Sequence, residues 1–298
     1  MTTPSGREHG RRSREERSQR AVAAALALAR ENGLRVGEPF VLADLFSLMV
    51  HLRPAPVVAR VATYMPKLRT PIVDWLDREI AVTTYLSEMG APVVAPSREL
   101  PPGPHEHDGF WISFWTHVEP DPDRTPTTAD CSAMLVDLHA GLQSYSGELP
   151  MLCADDIPRG LALLDKTGDD TLVKADADLL RAAAERLRPL WETPGGELQP
   201  LHGDAHPGNL IATRESGLVW IDFEDVCLGP IEWDLATIMD PGVVAEHHRP
   251  DPEVLAHCTE LRALQVALCL IAFYDDFGDI EGWGEGIRSM LNMLASVS

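Results

Sequence analysis

The stretch that most constrains this chain is residues 201–225, "LHGDAHPGNLIATRESGLVWIDFED". Two apolar runs, "NLIAT" and "LVWID", flank "RESG", a four-residue connection ending in Gly217, and this pattern predicts a β-hairpin. In the expected register Thr213 pairs with Leu218, Ile211 with Trp220, and Asn209 lies opposite Asp222. Directly opposed residues of an antiparallel pair share a face, with Cβ atoms ~4.5–5.5 Å apart. An asparagine carbonyl and an aspartate carboxylate then converge, and two hard oxygens completed by water and phosphate suit Mg²⁺. A slip of one residue would send them to opposite faces.

Asp204 precedes Asn209 by five positions, in a turn punctuated by Gly203, Pro207 and Gly208. A carboxylate there, beside such a metal, is placed to accept the proton of a hydroxyl attacking a phosphate. A competing chemistry is a transition-metal site of His202, Asp204 and His206, since imidazole and carboxylate suit Zn²⁺. No remote His/Cys cluster completes that site, because His247 and His248 are adjacent and neighbours rarely face one metal. A third reading makes these polar residues mere caps of a tight loop; it accounts for the Gly/Pro-rich turn but not for Asp204, Asn209 and Asp222 together.

Around the hairpin the chain divides by pattern into a disordered basic tail (1–18), a first lobe (19–118) and a second lobe (119–298). Gln19 to Asn32 reads as a helix stopped by Gly33, and residues 40–63 as strands joined by a hairpin at "RPAP", the second being "VVARVA". A further helix starts with Thr70 as N-cap and Pro71 at its first position, carries Glu79 near its middle and stops at Gly90. "APVVAP" and "GFWISFWTHV" read as two more strands. Three prolines and four charges in residues 119–128 mark a linker and hinge; beyond it, residues 129–142, 176–192 and 252–277 read as helices. The first lobe is thus small and α+β, the second larger and helical.

Composition bounds the partners. The 298 residues are 45% hydrophobic, enough for a real core, and the formal net charge is −21. That charge argues against nucleic-acid and anionic-membrane binding and suits a cationic small molecule, although plain solubility accounts for it equally well. Five cysteines with no C-x-x-C pair point to a reducing cytoplasm rather than a disulfide framework. No apolar run approaches the ~20 residues of a membrane span.

"HGDAHPGNL" followed by "GLVWIDFEDVCLGPIEWDLA" resembles the signature of the aminoglycoside phosphotransferase and choline kinase-like family, a branch of the protein-kinase fold. The resemblance implies a bilobal α+β fold, with an N-lobe of antiparallel sheet plus helix and a larger helical C-lobe. It implies transfer of a phosphoryl group from ATP or GTP, with Mg²⁺, to a small, hydroxylated, cationic acceptor, an antibiotic first among them, in a monomer or homodimer. Choline, homoserine or a sugar amine stand as metabolic alternatives, and a kinase-fold binding protein without turnover as the rival class. By resemblance Asp204 is the catalytic base, His202 orders its loop, Asn209 and Asp222 bind Mg²⁺, Asp234 buttresses the loop and His139 is structural. Arg60 stands where a basic residue contacts the nucleotide phosphates, with Glu79 as its ion-pair partner and Lys67 as the fallback; the backbone of Ser113, Phe114, Trp115 and Thr116 would hydrogen-bond the purine. The nucleotide-covering loop near residues 42–50 has no glycine, and Glu224 replaces the glycine of the kinase Asp-Phe-Gly. Glu224, Asp240, Asp275, Asp276, Asp279 and Trp283 are the expected substrate-pocket residues, with loop charge as the plainer account of any one of the acids.

Overall fold

A computed structural model of the chain describes residues 4–166, 174–193, 197–238 and 240–296. Helix α1 spans Pro4–Glu31 and ends before Gly33, whose φ of 85° breaks the helix. Residues 4–18, expected as disordered tail, continue this helix. Part of the reason is tertiary: the Arg14 guanidinium grips Asp279 with two bonds of 2.7 and 2.8 Å, and Arg17 donates to the Thr63 carbonyl at 3.1 Å.

Next come β1 (Phe40–Asp44), β2 (Leu48–His51) and β3 (Val57–Val61), one more strand than the pattern predicts. Helix α2 (Ile72–Glu88) leads to β4 (His105–His107) and β5 (Phe110–Thr116), and together the strands form an antiparallel sheet of order β1-β2-β3-β5-β4. Thr70 does not cap α2; its hydroxyl donates to the Pro66 carbonyl, and Pro71 holds the cap position. "APVVAP" is not a strand but makes two isolated bridges, Val93 to Trp220 and Pro96 to Trp115.

Period-two alternation gives the sheet two distinct faces. Leu48, Val50, Val57, Ala59, Val61, Ile112 and Phe114 pack under α1, against Ala21, Ala24, Ala25 and Leu28. Pairing Met49 with Arg60 and Arg60 with Ser113 puts that row on the opposite face, toward the second lobe. Helix α2 does not share the α1 core. Its Ile72, Trp75 and Leu76 join one large C-lobe cluster, and Val82 and Leu86 join the cluster around the hairpin.

The second lobe contains α3 (Thr128–Leu142), α4 (Asp156–Leu164), α5 (Lys174–Leu187) and α6 (Pro189–Glu192), then β6 (Gln199–Leu201), β7 (Leu210–Thr213), β8 (Gly217–Trp220) and β9 (Cys227–Gly229). It closes with α7 (Glu232–Leu235), α8 (Pro241–His247), α9 (Pro252–Ala272), α10 (Tyr274–Phe277) and α11 (Trp283–Ala295). Helix α9 is long and apolar enough to cross a membrane by composition, yet it is a core helix here, with Leu261, Leu264, Ala267 and Leu268 fully packed in the lobe. The segment expected to be a hinge is fastened to the hairpin: Asp121 donates its N–H to the Ala212 carbonyl at 2.7 Å, and Arg214 pairs with Asp121 and Asp123.

The hairpin forms in a register one residue off the predicted one. Leu210 pairs with Trp220, Ala212 with Leu218 and Thr213 with Gly217, and the Ile221 N–H donates to the Asn209 carbonyl at 3.0 Å. Gly217 belongs to the ladder rather than the loop, because its φ of 74° closes a three-residue connection whose Ser216 N–H bonds the Thr213 hydroxyl.

Candidate active site

With Asn209 opposite Ile221, regular strands cannot bring Asn209 and Asp222 together. Both residues leave strand geometry instead. Asn209 ends a 3₁₀ turn over Pro207–Asn209, and Asp222 takes φ 66° and ψ 57°. A non-glycine residue in the left-handed region is uncommon and costs on the order of 1 kcal/mol, a strain that clusters at functional sites. It re-aims the Asp222 side chain out of the β8 alternation and into the cleft, where Oδ1 accepts from Arg60 Nη1 at 2.8 Å.

The loop carrying Asp204 is fixed from below by Asp234, whose relative exposure is zero. Its Oδ1 accepts the Gly203 N–H at 2.8 Å, and its Oδ2 accepts the His202 N–H at 3.0 Å and His139 Nε2 at 2.9 Å. Burial works against this charge, but the His139 and His202 imidazoles and the Gly203 amide hold Asp234 below the usual carboxylate range. His202 is also fully buried, its ring tilted against Phe223 with centroids 4.4 Å apart, and burial lowers its pKa. Its Nε2 faces the Ile221 carbonyl at 3.0 Å, so the ring ties the loop to the hairpin and touches no reacting position.

Asp204 itself is half-buried. Asn209 Nδ2 donates to its backbone carbonyl at 2.8 Å and to Oδ2 at 3.3 Å, which leaves the asparagine Oδ1 as the free acceptor. His206 accepts the Gly208 N–H on Nδ1, so its Nε2 carries the proton and faces Asp204 Oδ2 at 3.4 Å. Arg262 Nη1 stands 3.5 Å from the other carboxylate oxygen, while its Nη2 donates to the Gly203 carbonyl at 2.6 Å. Burial raises the Asp204 pKa, but the His206 bond and the charges of Arg262 and His206 outweigh it and hold the carboxyl well below its ordinary value. The group is therefore an ionised acceptor at neutral pH. The zinc reading fails on this geometry: both His206 nitrogens are engaged, His202 faces a carbonyl, and no group of three or more His, Cys, Asp or Glu side chains among the described residues is arranged to hold a metal. The donor set that remains, Asp222 and the Asn209 amide oxygen, fits a hard cation that takes its other ligands from phosphate and water.

Facing this loop is a buried ionic network. Arg60 bonds Glu79 at 2.7 Å, Asp222 at 2.8 Å and Glu224, so the predicted Arg60–Glu79 pair is present and two more acids share the guanidinium. Arg69, which no sequence motif marks, bonds Glu224 and Asp225 at 2.5 Å each and approaches Asp156 at 3.8 Å. Five carboxylates thus share two arginines. Burial, only partly offset by Arg60, pushes Glu79 up to about 8, and burial against Arg69 pushes Asp225 up to about 7. Arg69 reaches Asp225 across 156 positions of sequence, so no local pattern announces it.

Several expected site residues lie elsewhere. Glu224 touches no open pocket, since each of its oxygens is taken by an arginine. Asp240 caps α8 through the Gly242 and Val243 N–H groups. Lys67 pairs with Asp276 at 2.9 Å, away from Arg60, and Asp279 is held by Arg14. Trp283 is buried, donating to the Leu270 carbonyl and packing tilted against Phe277, while Asp275 is exposed. Ser113, Phe114, Trp115 and Thr116 are spent in the sheet: all four pair with β3, Phe114 donates to Pro102 and Thr116 to Ala95.

Among curated proteins none matches the sequence significantly. Solved structures do match by fold. The chain is similar to choline kinase LicA from Streptococcus pneumoniae, at 14% identity and TM-score 0.69, covering 92% of this chain and 99% of that one. It is similar to an amicoumacin kinase solved with AMP-PNP, Ca²⁺ and its antibiotic, at 11% identity and TM-score 0.67, covering 92% and 93%. It is also similar to an aminoglycoside phosphotransferase, APH(2")-IIIa, solved with GDP and kanamycin, at 15% identity and TM-score 0.63, covering 91% and 98%. The phosphotransferase enzyme family model matches residues 66–265, which hold α2, the Asp204 loop, the hairpin and most of α9, and the chain belongs to that family.

Proposed function

We propose that the protein transfers the γ-phosphoryl group of ATP or GTP to a hydroxyl of a small acceptor that carries at least one amine. The observation that carries this reading is the Asp204 loop: an ionised carboxylate, positioned by Asn209 and Arg262 on a backbone clamped by Asp234, beside Asp222 in its left-handed turn. Asp204 accepts the proton of the acceptor hydroxyl as its oxygen attacks phosphorus. Arg60, at the head of the cleft, binds the phosphate oxygens and is kept ionised by the acids around it. Asp222 and Asn209 would hold Mg²⁺, which neutralises charge developing on the phosphates. Arg262 and Asn209 fix the Asp204 carboxylate so that little reorganisation precedes the step.

Two of these fold neighbours are named as kinases of choline and amicoumacin and the third is a phosphotransferase solved with kanamycin, which supports a small nitrogen-bearing acceptor. An antibiotic of the aminoglycoside type is the first class to test. Purified protein is screened with Mg-ATP and Mg-GTP against aminoglycosides, peptide and macrolide antibiotics, and amino alcohols, reading nucleoside diphosphate release. Asp204→Asn is expected to lower kcat by about 10³-fold while nucleotide binding persists. Retained turnover in that variant removes Asp204 as the base, and binding of neither nucleotide sinks the kinase reading.

A further inference from the structure

The connection between β1 and β2, residues 45–47, is the tip of the segment expected to cover a nucleotide. Residues 42–50 hold no glycine, so this segment lacks the cheap positive-φ conformations by which a loop folds away from a cleft. All five residues of β1 are exposed and the strand is an edge of the sheet, so its own burial does little to hold it down. The anchor is Phe46 at the tip, which is half-buried.

The backbone of Phe46 is tied to the first lobe. Its carbonyl accepts the Thr63 hydroxyl at 3.1 Å and the Tyr64 N–H at 3.0 Å, both just beyond β3. Its ring is seated on the second lobe, with centroids 5.1 Å from Phe273, 5.7 Å and edge-on from Phe277, and 5.9 Å from Trp283, all three of them buried. Lys67 and Arg14 pair with Asp276 and Asp279 beside these rings, and their cations lie 5.5 Å from the Phe273 centroid and 5.8 Å from that of Phe277. Ser18 donates its hydroxyl to Asp44 at 2.5 Å, so the end of β1 is fastened to α1 as well. The covering strands therefore cannot lift as a free flap while the Phe46 ring stays seated. A half-buried ring on an apolar seat is a contact that can open, and openings of this kind govern the passage of ligands in many enzymes.

We propose that Phe46 is a latch: its ring, seated on Phe273, Phe277 and Trp283, ties the covering strands to the second lobe, and nucleotide enters and leaves through withdrawal of that ring. The proposal rests on the phosphotransferase reading, which sets the nucleotide phosphates at Arg60. Met49 of β2, which pairs with Arg60, follows Phe46 by three residues, so the latched strand is the one beside the phosphate-binding arginine. A latch holds the path and not the ligand, so its loss speeds entry and exit alike.

The test is stopped-flow fluorescence on the full chain with Mg²⁺ and the N-methylanthraniloyl derivatives of ADP and GDP. Association is followed on mixing, and dissociation on chasing with excess unlabelled nucleotide. Phe46→Ala is expected to raise both rate constants about 10-fold, the size of one or two aromatic contacts, and to change Kd by less than about 3-fold. Phe46→Leu, which keeps an apolar tip, should fall between, and Arg14→Ala and Lys67→Ala should raise both rates by about 2- to 3-fold, because their ion pairs are partly exposed. Circular dichroism confirms folding, and if Phe46→Ala does not fold, Phe46→Leu carries the test alone. Rates unchanged or slowed in the folded Phe46 variants overturn the proposal. So does faster dissociation alone with Kd weakened in proportion, because Phe46 is then a nucleotide contact and not a latch. In both of those cases nucleotide binds and the phosphotransferase reading stands; if neither nucleotide binds the unaltered chain, that reading falls first and the latch falls with it.

Discussion

Two of the places where the lobes meet are built on opposite principles. At the cleft centre the contact is ionic and over-acidic, with Arg60 and Arg69 shared among Glu79, Asp222, Glu224, Asp225 and Asp156. At the rim it is apolar and neutralised. Phe46, at the tip between β1 and β2, packs 5.1 Å from Phe273, 5.7 Å from Phe277 and 5.9 Å from Trp283, while Arg14 pairs with Asp279 and Lys67 with Asp276 beside it. The rim gains from burial without leaving charge unpaired. The centre gives up that gain to keep charged groups desolvated and pointed at one another, where each strengthens the field felt by a phosphate. The difference teaches where adhesion resides: Asp276 and Asp279, attractive as substrate ligands by composition, fasten the lobes through Lys67 and Arg14.

The largest break in this contrast is expected from Arg60→Met. It leaves Glu79, Asp222 and Glu224 short of their cation in a buried site, and the loss is about 3–5 kcal/mol by denaturant unfolding. An effect under about 1 kcal/mol would mean that the centre is solvated in solution and that the contrast is wrong. Phe46→Ala removes a ring from the rim and is expected to cost about 2–3 kcal/mol, at the lower end for buried aromatics because the side chain is only partly buried. It should leave kcat at saturating nucleotide nearly unchanged, and a collapse of kcat would show that the rim also serves catalysis.

The pH dependence sharpens the same comparison with a smaller effect. Glu79 and Asp225 hold their protons more tightly folded than unfolded, so their contribution to stability is fully present below about pH 4 and is lost as pH rises toward about 8 and about 7. In buffer without Mg²⁺ or nucleotide, unfolding free energy is expected to fall over that window by about 1 kcal/mol per pH unit per group. Glu79→Gln should flatten the slope, and an unchanged slope would remove Glu79 as its source. Asp204 runs the other way: its carboxyl is depressed in the fold, so its contribution is lost only in strong acid. The smallest effect is Arg14→Ala, about 1 kcal/mol or less, since the pair with Asp279 keeps 19% and 20% side-chain exposure. A larger loss in a thermal melt would make α1 a principal strap of the rim.

Much of the Asp204 loop is legible in the residues themselves. Gly203, Pro207 and Gly208 mark the turn, and Asp204, Asn209 and Asp222 supply the hard-oxygen set beside it. The path by which they converge is not legible, because the length of the hairpin loop hinges on whether Gly217 adopts positive φ, which composition does not state. Glu79 is legible as the partner of Arg60 only through the family resemblance, since periodicity places each on its own element but not beside the other. Arg69, Asp156 and Arg262 are not, because their partners lie 156, 109 and 58 positions away and none sits in a motif.

The sequence by itself determined the local chemistry: the hairpin, the Gly/Pro-punctuated loop, the alternating strands of the sheet and the stock of acids, all set by interactions within a few residues. Only the tertiary structure decided which acids are spent and which are available. A carboxylate's role depends on whether a guanidinium, a helix end or open space faces it. Glu224 and Asp279 are therefore closed by arginines, Asp240 by the α8 amides, and Asp156 Oδ1 stands without a hydrogen bond among the described residues.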